Sequence, residues 1–214
     1  WPKGGTRKSR KRRRADRNHR SLQFPTLDVR PLEERRVLNA AIDVLAVPAT
    51  GQEGTAIDVS ASASGDGPLT YDWTVVKNGD PYAAGSGSMF SFVPDDEGTY
   101  EVELSVTDDS DNTTDTAWST VTVANVDPTI TDFSLTPTID ENGTATLSFT
   151  LDDPGLLDQH TVKIDWGDGA VQNFALPVGE RSFTTTHKYL DDKPSGTLFD
   201  NYAVEVQLTD ADGG

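Results

Sequence analysis

The sequence predicts an all-β chain: two β-sandwiches in tandem behind a basic, disordered leader. Three observations predict it. One phrase occurs twice, as Tyr100-Glu-Val-Glu-Leu-Ser-Val-Thr-Asp108 and as Tyr202-Ala-Val-Glu-Val-Gln-Leu-Thr-Asp210. A second pair, Asp72-Trp73 and Asp165-Trp166, precedes the two copies. From Ala41 onward apolar residues recur with period two, as in strands with one packed and one wet face. Self-similarity at a period of about a hundred residues indicates two copies of one domain. A chain of 214 residues is long enough for two.

The leader spans residues 1–40. Residues 1–36 carry 13 Lys and Arg against four acids, and the rest carries five against 31, so net charges of +9 and −26 make up the −17 of the whole. The run Lys8–Arg14 repels itself and cannot build a core. Leu27–Ala40 holds a narrow apolar helical face after Pro31, at most a short helix. The acidic body disfavours nucleic acid and anionic lipid as partners, and Lys8–Arg14 lacks interleaved aromatics. A targeting or processing segment is the better reading of that run. The absence of Cys removes disulfides, thiol catalysis and thiolate metal sites. No apolar run approaches the ~18 residues of a membrane-spanning helix.

The first module is expected over 41–124. Ile57–Ala61, Leu69–Trp73, Tyr100–Val106 and Val121–Val123 alternate as strands, separated by turns at Gly65–Pro68, Asn78–Pro81, Gly85–Gly87 and Asp95–Gly98. Asn125-Val-Asp-Pro128 is a short joint, stiffened by the extended geometry that precedes a proline. The second module, 125–214, runs as strands Thr129–Leu135, Thr144–Leu151, Thr161–Asp165, Val171–Ala175, Arg181–Lys188 and Tyr202–Thr209. Asp168-Gly169 marks a tight hairpin. The first copy continues after Asp108 into Ala117–Val123, whereas the second stops soon after Asp210. A further strand beyond Gly214 is therefore expected.

Ile164-Asp-Trp-Gly-Asp-Gly169, Thr186-His-Lys-Tyr189 and the closing strand from Tyr202 resemble the polycystic kidney disease (PKD) domain. In the first module Tyr71-Asp-Trp73 and Gly98–Asp108 fit, while Thr74-Val-Val-Lys77 replaces the Gly-Asp-Gly turn and His-x-Tyr is absent. That module resembles a divergent PKD or related immunoglobulin-like domain. The resemblance implies two immunoglobulin-like (PKD-type) sandwiches, extracellular or at the cell surface, serving as spacers, adhesive units or helpers beside hydrolases. In the leader, Pro31–Ala40 resembles the LEPR-XLL segment of planctomycete surface proteins through Leu32, Glu33, Arg35 and Leu38, with Glu34 in place of Pro. This implies export and a bacterial source.

Candidate sites follow from residue chemistry. Trp73 and Trp166 read as core, with sugar stacking as the competing role; Tyr100, Tyr189 and Tyr202 read as core beside them. Trp118 is the candidate ligand-binding ring, on a strand near an edge, with a packed edge residue as the competing reading. Asp165, Asp168, Asp191, Asp192 and His187 contain the ingredients of a paired-carboxylate site, but Asp at a turn serves local backbone bonds and the family places a structural His at His187. No catalytic residue is assigned. Calcium is the candidate cofactor, since it takes six to eight oxygen ligands. Asp95-Asp-Glu97, Asp108-Asp-Ser-Asp111, Asp152-Asp153 and Asp210-Ala-Asp212 are oxygen-rich loops. Asp95, Asp96, Asp108, Asp109 and Asp111 are the foremost candidates, with solvated acidic loops as the competing reading. The expected function is non-catalytic: structural or adhesive modules whose partners are other protein modules or extracellular polymers, carbohydrate or protein. The alternative is a polymer-binding accessory of a secreted hydrolase.

Overall fold

The structure, a computed structural model, describes residues 39–190 and 199–213. The chain divides after Arg36 into two units, and the described residues all belong to the second. The basic run, most of the LEPR-XLL-like segment, and Asp191 and Asp192 lie outside the described residues.

Fourteen strands and no helix occur among the described residues. Eight precede the joint: β1 (Ala41–Ala46), β2 (Thr50–Gln52), β3 (Ile57–Ser64), β4 (Leu69–Lys77), β5 (Asp80–Ser86), β6 (Met89–Phe92), β7 (Gly98–Asp108) and β8 (Thr113–Ala124). They form one sheet in the order β1-β3-β6 and another in the order β2-β8-β7-β4-β5. Register sets the core. Trp73 lies opposite Leu104 and Val75 opposite Val102, while Tyr100 lies opposite Val121. These side chains share one face because the side-chain period of a strand is two. Ile57, Val59 and Phe92 complete the core from the other sheet. Phe92 and Tyr82 each pack on Tyr100, with ring centroids 5.9 and 5.0 Å away.

Two of the expected features take particular forms here. The Asn78–Gly79 turn has φ of 55° and 87°, the left-handed pair a two-residue hairpin requires. The strand β5, which alternation does not announce, holds Pro81 and Gly85. It is an edge strand, where a missing N–H is tolerated. Gly85 stands where any side chain would run into the Phe90 ring.

After the joint come β9 (Thr129–Leu135), β10 (Thr144–Asp152), β11 (His160–Asp165), β12 (Val171–Leu176), β13 (Ser182–Lys188) and β14 (Glu205–Asp210). They pair as β13-β10-β9 and β12-β11-β14. A second core gathers Ala145, Leu147, Phe149, Leu151, Val162, Ile164, Trp166, Leu176, Phe183 and Tyr189. The last strand begins at Glu205, not at Tyr202 as alternation predicts. The backbone of Ala203 lies against Gly167, where a Cβ would come within 2.6 Å of the Ala203 carbonyl oxygen. Residues 202–204 are thus spent on packing against the turn before the ladder starts.

Candidate metal centre at the joint

The Trp-Gly-Asp-Gly turn is a braced structural unit. Asp165 accepts the Gly167 N–H at 2.9 Å. Asp168 accepts the Ala170 N–H at 2.9 Å and meets His187 Nε2 at 2.9 Å. His187 stacks on Trp166 at 4.7 Å, and the Tyr189 hydroxyl donates to the Trp166 carbonyl at 2.9 Å. Among the described residues of the acid–base set, Asp165, Asp168 and His187 are therefore engaged in holding this turn. Trp73, Tyr100, Trp166 and Tyr189 are buried. Tyr202 is half-buried and packs on Tyr189 at 4.4 Å. Trp118 is 75% exposed, on β8 opposite Glu103.

The five foremost calcium candidates do not converge. Asp108 is buried and accepts the N–H groups of Asp66 at 2.7 Å and Gly67 at 3.1 Å. It also accepts the N–H of Ser110 at 2.8 Å and its hydroxyl at 2.6 Å. Asp111 accepts the Thr113 N–H and hydroxyl, and Asp109 accepts the Thr70 hydroxyl. These carboxylates tie loops to strands. Asp96 lies elsewhere, paired through Oδ2 with Lys77.

Asp108 supplies a test of the loop role. The Ser110, Gly67 and Asp66 donors hold its carboxyl below the ordinary 3.8. Its contribution to stability is thus in place above that value and is lost as pH falls through the depressed folded-state pKa. Asp108→Asn should lower the unfolding temperature at neutral pH and flatten the acid side of the stability curve, read by circular dichroism between pH 2 and 5.

At the joint, four loops converge. The turn after β2 brings Glu53; the loop before β7 brings Asp96 and Glu97; the loop between β10 and β11 brings Asp153 and Asp158; the end of β14 and the segment after it bring Asp210 and Asp212. The loops are tied by backbone. Leu156 N–H donates to the Asp95 carbonyl at 2.8 Å. Gly54, at φ 68°, lies so close to Pro154 that no Cβ fits. Asn125 of the linker donates to Asp210 at 2.7 Å, and Val126 N–H donates to Glu53 Oε1 at 2.8 Å.

Carboxylate oxygens of Glu53, Asp96, Glu97 and Asp158 all lie within 4.8 Å of one another. Glu53 is 1% and Asp158 2% exposed. Glu53 Oε2, Glu97 Oε2 and both oxygens of Asp158 have no hydrogen-bond partner, nor has the buried Asn125 Oδ1. Burial, reinforced by the charges of Asp158, Asp153 and Glu97, pushes Glu53 up to about 7 against a Val126 hydrogen bond that lowers it. Burial and the charge of Asp153 push Asp158 up to about 6. Glu97 is raised chiefly by burial. Asp153 is committed otherwise: it pairs with the buried His160 and accepts the Gly155 N–H at 2.8 Å. Asp96 and Glu97 lie in loops that composition already marks as oxygen-rich. Glu53 and Asp158 are single acids in ordinary turns, and no local pattern sets them apart.

Two β-sandwiches in tandem, with a buried acidic joint, define the class of this protein. The family model described as the PKD domain matches residues 41–123, the first sandwich; domains of this kind are commonly non-catalytic structural or binding modules. The Trp-Gly-Asp-Gly turn and His187-x-Tyr189 lie outside the matched stretch. Among solved structures, the chain is similar to the FN1-FN3 domains of chicken CNTN1, at 12% identity and TM-score 0.31, covering 81% of this chain and 60% of that one. It is also similar to fibronectin(III)-like modules of Clostridium thermocellum CbhA, at 15% identity and TM-score 0.32, covering 81% and 87%. No curated protein matches the sequence.

Proposed function

We propose that the two sandwiches are non-catalytic spacer modules of a large exported surface protein, acting structurally or adhesively. The observation that carries this reading is the joint. Residues 125–128 alone separate β8 from β9, and the flanking loops are tied by the Leu156–Asp95 bond and the Gly54–Pro154 contact. A joint so tied suits a module pair that holds its ends apart. Export is supported by the LEPR-XLL-like segment and by the PKD match, since such domains are usually extracellular. No helix among the described residues is long and apolar enough to cross a membrane.

A second reading, an accessory that holds a polymer for a secreted hydrolase, is favoured by Trp118. Its flat ring is three-quarters exposed on the outer face of the five-stranded sheet. Pull-down of the purified chain with insoluble chitin, cellulose and collagen separates the two. The spacer reading expects no retention. Retention that falls about tenfold in Trp118→Ala would favour the accessory. In either case Trp118→Ala should change stability by no more than about 0.5 kcal/mol, as for other exposed positions.

A further inference from the structure

We propose that Glu53, Asp96, Glu97 and Asp158 form a calcium site that bridges the two sandwiches. The ligands come from both sides of the joint: Glu53, Asp96 and Glu97 from loops of the first sandwich, Asp158 from the β10–β11 loop of the second. Oxygens that share one calcium ion lie about 2.3–2.6 Å from it, hence at most about 5 Å from one another. The 4.8 Å spread of the four carboxylates fits a single ion.

An acidic cluster alone is a common surface feature, but this one is not on the surface. Asp158 is 2% exposed and both of its oxygens lack a partner, and Glu53, a member of the same group, is 1% exposed with its Oε2 unpartnered. Buried carboxylates are ordinarily hydrogen-bonded, paired or metal-bound. Among the described residues the one cation paired with the group is Lys77, on Asp96, which leaves Glu53, Glu97 and Asp158 without a salt-bridge partner there. The neutral Asn125 Oδ1 of the linker is buried and unpartnered in the same region. Hard oxygen donors without thiolate or free imidazole suit calcium or magnesium rather than zinc. An irregular set of carboxylates suits calcium, because magnesium demands near-ideal octahedral geometry.

The inference deepens the spacer reading by supplying what stiffens the joint, and its test does not depend on that reading. Isothermal titration calorimetry of chelator-treated protein with calcium chloride should show a single site. The unfolding temperature should rise by about 5–10 °C at a hundredfold excess over Kd, and magnesium at equal concentration should do much less. Asp158→Asn and Glu53→Gln, which keep side-chain shape, should each weaken calcium binding at least tenfold, while Asp109→Asn leaves it unchanged. Folding of each variant is checked by circular dichroism. No heat and no thermal shift up to about 10 mM calcium, roughly tenfold above the weak limit of extracellular modules, would overturn the proposal. So would equal affinity in both folded joint variants, or loss on Asp109→Asn. Polymer retention in the pull-down would remove the spacer reading and leave the calcium site standing.

Discussion

Trp166→Ala should destabilise the second sandwich by about 3–5 kcal/mol, the range for removing a large buried aromatic. Trp166 is wholly buried and sits where three supports meet. Its indole N–H donates to Gln172 at 2.9 Å, its ring stacks on His187 at 4.7 Å, and its edge meets Tyr189 at 6.4 Å. Alanine removes the ring from the core and strands the Gln172 oxygen and the His187 face together. Because His187 also meets Asp168, the turn loses its brace along with its filling. Hydrogen exchange read strand by strand is the suitable measurement, since two cores need not unfold in one step. Amides of β10 and β11 should lose protection while those of β4 and β7 keep theirs. A loss under about 1 kcal/mol would mean that the turn holds itself without the ring.

The second large effect is expected at the Asp153–His160 pair. Both side chains are fully buried, and Arg181 Nη1 stands 3.9 Å from Asp153. Removing one member of a buried pair leaves the other unsatisfied, which costs about 3 kcal/mol or more. Asp153→Ala is expected to do this and also to free the Gly155 N–H. Replacing both partners by apolar groups removes the orphaned imidazole and leaves only the Gly155 N–H to be satisfied, so Asp153→Leu with His160→Phe should recover part of the loss. Chemical denaturation of Asp153→Leu, of His160→Phe and of the double variant gives the coupling directly. Additive effects would show that the pair is not a unit.

Much of the fold was legible because strands are written locally. Alternation placed β4, β7, β9, β10 and β13 within a residue or a few of their observed bounds, and the Asn78–Gly79 turn followed from backbone preference. The edge strands β1, β2, β5 and β6 were not legible. A strand paired on one side tolerates Pro81, Gly85 and exposed side chains, and so lacks the pattern. The repeated phrase looked like one strand twice, yet its ends diverge. Tyr100 is inside β7, whereas Tyr202 precedes β14 because the neighbouring backbone is pressed against Gly167. Its closing acid keeps one task and adds another: Asp108 and Asp210 both accept N–H groups of the loop that follows them, and Asp210 also accepts from Asn125 across the joint.

The sequence by itself determined the all-β class, the tandem organisation and the split of charge between head and body, and it marked Trp73, Tyr100, Trp166 and Tyr189 among the buried residues. These depend on periodicity and composition, which are properties of neighbouring residues. Only the tertiary structure decided which acids share a space. Glu53, Asp96, Glu97 and Asp158 belong to three separate loops, and Asp96 and Asp108, alike in composition, fall to different tasks. Whether a carboxylate caps a loop or faces other carboxylates depends on how loops of two sandwiches meet, and that is settled by packing at the joint rather than by any local run of residues.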